Sequence, residues 1–248
     1  MSTSLTSTVA LVTGANRGIG RALTEALLAR GATKVYATAR NADSLADLVA
    51  AHPNRIVPLT LDVTQPDQVA AIARTAADAT LIINNAGALA NPDLFAATLD
   101  DARQEFEVNY WGTLHVIRAF VPQLKAHGSG VIVNLSSVAG LTSFPMYPTY
   151  SDSKAAVHSL TAGARLLLAD AGIRLIGVYP GPVDTDMAKD IEMPKETPET
   201  VAATILDGIE NGAEEVFTDE FARTYREPYE AGQKTLEKRI AAMMQPAA

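Results

Sequence analysis

The sequence predicts an α/β fold, a doubly wound parallel sheet of about seven strands with helices on both faces in a three-layer α/β/α sandwich. Three observations point there. Short β-branched apolar runs alternate with longer Ala- and Leu-rich stretches of helical period, the pattern of a parallel sheet covered on both faces. A glycine-rich turn, Thr13-Gly14-Ala15-Asn16-Arg17-Gly18-Ile19-Gly20, follows the first of these runs, with a helix beginning inside it. The 248 residues, 48% hydrophobic and 19% charged, suffice for one large domain and are too few for two generous ones. Residues 1–248 are therefore expected to form a single domain.

Strands are expected near 8–13, 34–38, 55–60, 80–84, 130–136, 174–179 and 215–218. Helices are expected around 21–29, 66–77, 101–126 and 150–169, which carry helix formers, with Gly31, Gly128 and Gly172 as C-terminal stops. Thr197-Pro198-Glu199-Thr200 reads as a helix start with Pro in the first turn, continued by an apolar stripe over 201–209. From 219 to 238 charge is dense and aromatics are scattered. This stretch belongs to an atypical helical extension, about 219–248, expected to fold back on the domain or to meet a second subunit.

Composition removes several function classes. The Ser/Thr-rich start lacks a basic region and an apolar core, and no apolar run approaches the roughly 20 residues that span a bilayer. A soluble, cytoplasmic protein without a membrane partner is expected. Zero cysteines exclude disulfides, thiolate metal sites and a Cys nucleophile. A formal charge of -8 argues against nucleic acid and leaves a small molecule as the expected ligand. His52, His115, His127 and His158 show no metal-ligand spacing, so no metal is expected.

Two motifs carry chemistry. In the glycine turn, Gly14, Gly18 and Gly20 allow backbone N–H groups to approach a pyrophosphate at the positive end of a helix, and Asn16, Arg17 and Ile19 lie within the same turn. Tyr150 and Lys154 lie one helical turn apart and share a face, so an ammonium there can lower the phenol pKa from about 10 and ready it for proton transfer. That spacing alone better fits a packed aromatic beside a solvated lysine, and other motifs must agree before it reads as chemistry.

Taken together, the motifs resemble the short-chain dehydrogenase/reductase family, in order from Val9 to about Met187. They are the glycine turn; Asp62-Val63; Asn84-Asn85-Ala86-Gly87; Val108-Asn109 with Gly112; Asn134-Leu135-Ser136-Ser137 with Gly140; Tyr150 with Lys154; and Pro180-Gly181-Pro182-Val183-Asp184-Thr185. The resemblance implies a Rossmann-like fold that binds a nicotinamide dinucleotide. It implies that Asp62 and Val63 meet the adenine, Asn85, Ala86 and Gly87 the adenosine ribose and sheet centre, and Val183 and Thr185, with Pro180 and Gly181, the nicotinamide end. Thr64 is expected to cap the next helix and leave Asp62 free.

The same resemblance assigns catalysis to Asn109, Ser137, Tyr150 and Lys154. Tyr150 is implied as general acid in reduction and base in oxidation, with Lys154 lowering its pKa and holding the nicotinamide ribose. Ser137 is implied as donor to the substrate oxygen, and Asn109 as kinking its helix and holding a water that links Lys154 to solvent. Ser136 is adjacent to Ser137 but points to the opposite side by strand alternation. An acid at the end of the second strand would select NAD; Ala39 stands there instead, followed by Arg40, and with Arg17 this favours NADP(H).

Ala88, Leu89, Ser143, Phe144, Met146, Tyr147, Met187 and Ile191 are candidate walls of a mostly apolar substrate pocket, with Phe144, Met146, Tyr147 and Met187 foremost. Only residues 186–196 separate the last motif from the next helix, a short lid that implies an open pocket for bulky or varied carbonyl compounds. The expected function is NADP(H)-dependent reduction of an aldehyde or ketone, or the reverse oxidation of an alcohol, by a homo-oligomer. The alternatives are a sensor of NADP(H) without turnover and an epimerase or dehydratase using the same Tyr/Lys pair.

Overall fold

The computed structural model describes residues 3–90, 94–95 and 99–243. Residues 244–248 of the expected extension lie outside the described residues. The elements run β1 (Val9–Val12), α1 (Gly18–Ala29), β2 (Lys34–Ala39), α2 (Ala46–Ala51), β3 (Ile56–Thr60), α3 (Pro66–Thr75), β4 (Leu81–Asn84) and α4 (Leu99–Phe106). They continue with α5 (Gly112–His127), β5 (Gly130–Leu135), α6 (Pro148–Leu168), β6 (Ile173–Tyr179), α7 (Pro198–Glu210) and β7 (Glu215–Phe217). Three short helices close the chain: α8 (Glu220–Arg223), α9 (Arg226–Glu230) and α10 (Gln233–Met243). No helix among the described residues is long and apolar enough to cross a membrane.

The seven strands form one sheet in the order β3-β2-β1-β4-β5-β6-β7. Every pairing is parallel. Alternation along each strand explains the two cores. In β1, Ala10 and Val12 face one layer and Leu11 the other; in β5, Val131, Val133 and Leu135 oppose Ile132. Helices α1, α2 and α7 cover the first face with Leu23, Leu27, Leu48, Val201 and Ile205, and α3, α5 and α6 cover the second with Val69, Phe120, Leu124 and Leu168. Because β1 pairs with β2 on one side and β4 on the other, the strand order reverses there and opens a crevice at the C-terminal edge.

Local signals place the helix ends. Thr197 accepts from the N–H of Thr200 at 3.2 Å, with Pro198 in the first turn of α7. Gly31, Gly128 and Gly172 follow their helices with φ of 90°, 72° and 69°. The helix expected over 101–126 is broken into α4 and α5 by a π-helical turn, Glu107–Trp111, at the place where Asn109 was expected to kink it. Asn109 sits inside that turn, where its side chain bonds outside the helix.

The C-terminal segment folds back on the sheet edge. Tyr225, Leu236 and Ile240 are buried against Phe144, Tyr179 and Phe217 in a third apolar cluster. Amphipathic spacing on these short helices supplies that face, while their charged residues stay outside.

Candidate active site

The crevice is a cleft of about 1070 Å³ running from the glycine turn to the first turns of α6. All of the expected catalytic and cofactor residues line it except Gly20 and Asn109. Those two stand directly behind its wall, Gly20 against Gly14 and Asn109 against Ala88.

At the glycine end, close packing dictates the residue types. Gly14 has φ of 67°, a conformation that a side chain would strain, and a Cβ at Gly20 would collide with the Gly14 carbonyl and the Asn85 amide. Asn85 Nδ2 donates to the carbonyls of Thr13 and Gly14 at 2.8 and 3.1 Å, and Thr13 Oγ1 accepts from the N–H of Asn85 and of Ala86, both at 3.0 Å. The turn and the Asn85-Ala86-Gly87 segment are thus one hydrogen-bonded unit. Helix α1 begins at Gly18 with no side-chain cap and no acid in its first turn, which leaves its N-terminal N–H groups for an anion. Arg40 is exposed on the cleft, and Arg17 pairs across its mouth with Asp186 at 2.9 Å.

Asp62 is not free, contrary to the sequence expectation. Its Oδ1 accepts from the N–H and the hydroxyl of Thr64 at 3.0 and 2.8 Å, a local turn that competes with helix capping. Gln65, not Thr64, occupies the N-cap of α3 and makes no side-chain cap bond.

At the other end, Ser137, Tyr150 and Lys154 converge. Ser136 and Ser137 follow β5 directly, and the Ser136 hydroxyl donates to the Lys154 carbonyl at 2.8 Å. Ser137 is half-buried; its hydroxyl donates to the Pro180 carbonyl at 3.3 Å and accepts from the N–H of Ala139 at 3.1 Å. Burial pushes the Tyr150 phenol up to about 12; a hydrogen bond with Ser137 works against the rise, and the nearby Glu105 carboxylate adds to it. Burial also lowers the Lys154 ammonium to about 8. The expectation that Lys154 depresses the Tyr150 pKa is therefore not met in this structure. The Lys154 Nζ donates to the Leu135 carbonyl at 2.9 Å and stands 5.6 Å from the Tyr150 ring centroid, while both groups lose solvent.

Asn109 is buried, accepting from the N–H of Ala88 at 2.8 Å and donating to the Ala88 carbonyl at 2.9 Å and to Ser153 Oγ at 2.8 Å. Phe144, Met146, Tyr147, Met187 and Ile191 form a wall beside Tyr150, together with Ala88 and Leu89. Ser143 does not join them; it lines a separate depression under α9 and α10. His158 bonds the Tyr179 hydroxyl at 2.7 Å, and His115 and His127 contact the carbonyls of Val63 and Ala77 at 3.1 and 3.0 Å. Among the described residues no three His, Cys, Asp or Glu side chains gather in a metal-binding group.

Sequence reasoning missed three residues. Glu105 is fully buried, accepting from the N–H of Ala90 at 2.9 Å and from the Thr149 hydroxyl at 2.6 Å. Nothing in a Glu among charged helix residues signals this. Asp219 is buried at the start of α8 and Phe221 reaches the cleft wall. An Asp before a helix is a readable cap signal, but its reach to the cleft is not.

Comparison with known proteins places this geometry. The family model for short chain dehydrogenases matches residues 8–196. A short chain dehydrogenase from Burkholderia cenocepacia, solved in complex with NADP, superposes with a TM-score of 0.90 at 41% identity, covering 98% of this chain and all of that one. A short chain dehydrogenase/reductase from Burkholderia phymatum, solved with NAD, gives 0.82 at 26% identity over 92% of this chain and 96% of that chain. An uncharacterized oxidoreductase of Staphylococcus aureus is 32% identical over 214 residues, 82% of this chain and 91% of the relative. With the parallel sheet, the glycine turn and the Ser137, Tyr150 and Lys154 cluster in place, these matches show that the chain belongs to the short-chain dehydrogenase/reductase family of oxidoreductases.

Proposed function

We propose that the protein is an NADP(H)-dependent reductase of aldehydes or ketones bearing apolar substituents, able to run in reverse on the alcohols. The observation that carries this reading is the meeting of Ser137, Tyr150 and Lys154 at one end of the cleft whose other end holds the glycine turn with Arg17 and Arg40. The cradle suits a dinucleotide: a close-packed glycine turn, an uncapped helix N-terminus and two cationic side chains, with Ala39 ending β2 where an acid would oppose a phosphate. Support for NADP over NAD also comes from the Burkholderia cenocepacia relative crystallised with NADP.

When bound, the cofactor supplies or accepts the hydride through its nicotinamide ring. Gly14 to Gly20 would hold its pyrophosphate, Asp62 and Val63 its adenine, Asn85 to Gly87 its adenosine ribose, and Lys154, Pro180, Gly181, Val183 and Thr185 its nicotinamide end. Ser137 donates a hydrogen bond to the substrate oxygen and Tyr150 gives that oxygen its proton as charge builds there. A phenol raised to about 12 is fully protonated at neutral pH, the form that serves reduction. Lys154, lowered to about 8, exchanges protons near neutrality and can reload Tyr150 through the Asn109 side of the cleft. The apolar wall from Phe144 to Tyr147 and Met187 takes the substituents, its methionines adapting to varied shapes. Residues 1–248 are read as one domain, acting as a cytoplasmic homo-oligomer; Leu166 and Leu167, apolar yet 81% and 84% exposed on α6, support a subunit contact.

The test is Tyr150→Phe. It is expected to bind NADPH as the parent does and to lose roughly 10²–10⁴-fold in ketone reduction. Retained turnover overturns the role of Tyr150, and a parent that binds NADPH but reduces nothing in a broad carbonyl panel overturns the reductase reading in favour of a sensor.

A further inference from the structure

The C-terminal segment is built into the active site. Asp219, at the N-cap of α8, is 4% exposed, and its carboxylate accepts three hydrogen bonds. Oδ1 accepts from the N–H of Ala222 at 2.8 Å, and Oδ2 from the N–H of Gly181 and the hydroxyl of Thr218, both at 2.8 Å. The first of these caps the helix. The second leaves the segment altogether and holds the turn after β6.

That turn touches the chemistry. The Pro180 carbonyl, on the peptide whose N–H Asp219 holds, accepts from the Ser137 hydroxyl at 3.3 Å and from the N–H of Val138 at 3.1 Å. One peptide unit therefore links the Asp219 carboxylate to the Ser137 hydroxyl. A carboxylate accepting from a peptide N–H polarises that peptide and strengthens its carbonyl as an acceptor. The same linkage, with the Ala139 N–H that Ser137 accepts, sets where the Ser137 oxygen stands, and its one proton turns from Pro180 to the substrate oxygen when substrate binds.

Two rings of the segment extend the contact to the substrate end. Phe221 lines the cleft and lies so close to Gly181 that a Cβ there would come within 2.8 Å of its ring. Behind it, Tyr225 is fully buried, with its ring centroid 5.2 Å from Phe221 and 5.8 Å from the wall residue Phe144. Arg239 of α10 stacks over Tyr225 at 4.5 Å and so braces this stack from outside.

We propose that Asp219 is a positioning residue for Ser137, acting through the Gly181 peptide, and that Phe221 determines specificity as part of the wall the substrate's apolar substituent meets. This rests on the reductase reading above. Asn in place of Asp219 keeps size and shape, but its amide cannot accept from both N–H groups with one oxygen, so one of the two bonds is lost.

The experiment pairs Asp219→Asn with Phe221→Ala in the full-length protein. Asp219→Asn is expected to fold, to lose roughly 10- to 100-fold in kcat with KM for substrate little changed, and to exchange the Gly181 amide faster in hydrogen–deuterium exchange of the peptide around it. Phe221→Ala is expected to keep NADPH affinity within about threefold while reordering kcat/KM between bulky aryl ketones and small aldehydes by roughly tenfold. If Asp219→Asn fails to fold, the Phe221→Ala panel decides, together with Asp219→Ser, which keeps the short cap to Ala222 without reaching Gly181. An unchanged substrate ranking in Phe221→Ala, or full kcat per folded molecule in either Asp219 variant, overturns the inference. A parent without carbonyl turnover overturns the underlying reading instead, and unchanged Gly181 exchange in Asp219→Ser, which cannot reach that peptide, then overturns the inference independently of activity.

Discussion

The ammonium of Lys154 donates to the main-chain oxygen of Leu135 at 2.9 Å, at the end of β5, rather than to the phenol of Tyr150. Its charge is held in a buried place with one carbonyl as partner, and burial lowers it to about 8. Below that pH folded and unfolded chains both bind the proton, and the folded state carries the cost of the buried charge. Between about 8 and the ordinary 10.5 only the unfolded chain binds it, so this group's contribution makes stability rise with pH across that window. Lys154→Met is expected to be about 1–2 kcal/mol more stable than the parent at pH 7, with the advantage gone by pH 10.5, and to be nearly inactive. Urea unfolding at both pH values checks it; a variant less stable at pH 7 contradicts the cost assigned to the charge.

Glu105 adds its negative charge to the rise in the Tyr150 pKa caused by burial. Glu105→Gln preserves shape and can still accept from Ala90 while donating to Thr149, yet removes the charge. A phenolate then forms more readily. The pH profile of alcohol oxidation should move its Tyr150-governed limb to lower pH, with stability changed by less than about 1 kcal/mol. A limb that stays in place, or moves up, excludes this electrostatic coupling.

Arg17 and Asp186 pair at 2.9 Å with side chains 63% and 72% exposed, so the pair adds less than about 1 kcal/mol to stability. It competes, however, with any phosphate that approaches Arg17. Asp186→Asn is expected to leave the melting temperature unchanged, tighten NADPH binding severalfold and leave NADH binding alone. Arg17→Ala should weaken NADPH binding roughly tenfold or more. Fluorescence titration with both nucleotides measures each, and equal effects on NADPH and NADH would refute the phosphate role.

A Cβ at Gly20 would meet the Gly14 carbonyl and the Asn85 amide, both backbone-anchored. Gly20→Ala should cost about 1–3 kcal/mol and weaken nucleotide binding at least tenfold. Nucleotide affinity equal to the parent's would show that the turn relaxes without moving its N–H groups.

The fold class was legible because period-2 alternation, helical stripes and capping residues are local properties. Thr197, Gly128 and the buried strand runs announce their roles within a few positions. The glycine turn and the Tyr150/Lys154 pair were legible for a similar reason, since each is a short spacing placed at the end of a strand or on a neighbouring helix. Even there the local reading erred. Asp62 was expected free, yet it is bound by Thr64 two residues on.

By itself, then, the sequence determined the layer architecture, the order of the motifs and most of the side chains that reach the cleft, because those follow from periodicity and turn chemistry. Tertiary structure alone decided what those side chains touch. Lys154 finds Leu135, Ser137 finds Pro180, Glu105 finds Ala90 and Thr149, and Asp219 finds Gly181. Each partner is remote in sequence, and in most of these bonds one side is a main-chain group that any residue could supply. Backbone acceptors and donors leave no residue-type signal, and burial, which shifts the Tyr150 and Lys154 protons, exists only once the sheet, α6 and the C-terminal helices have packed together.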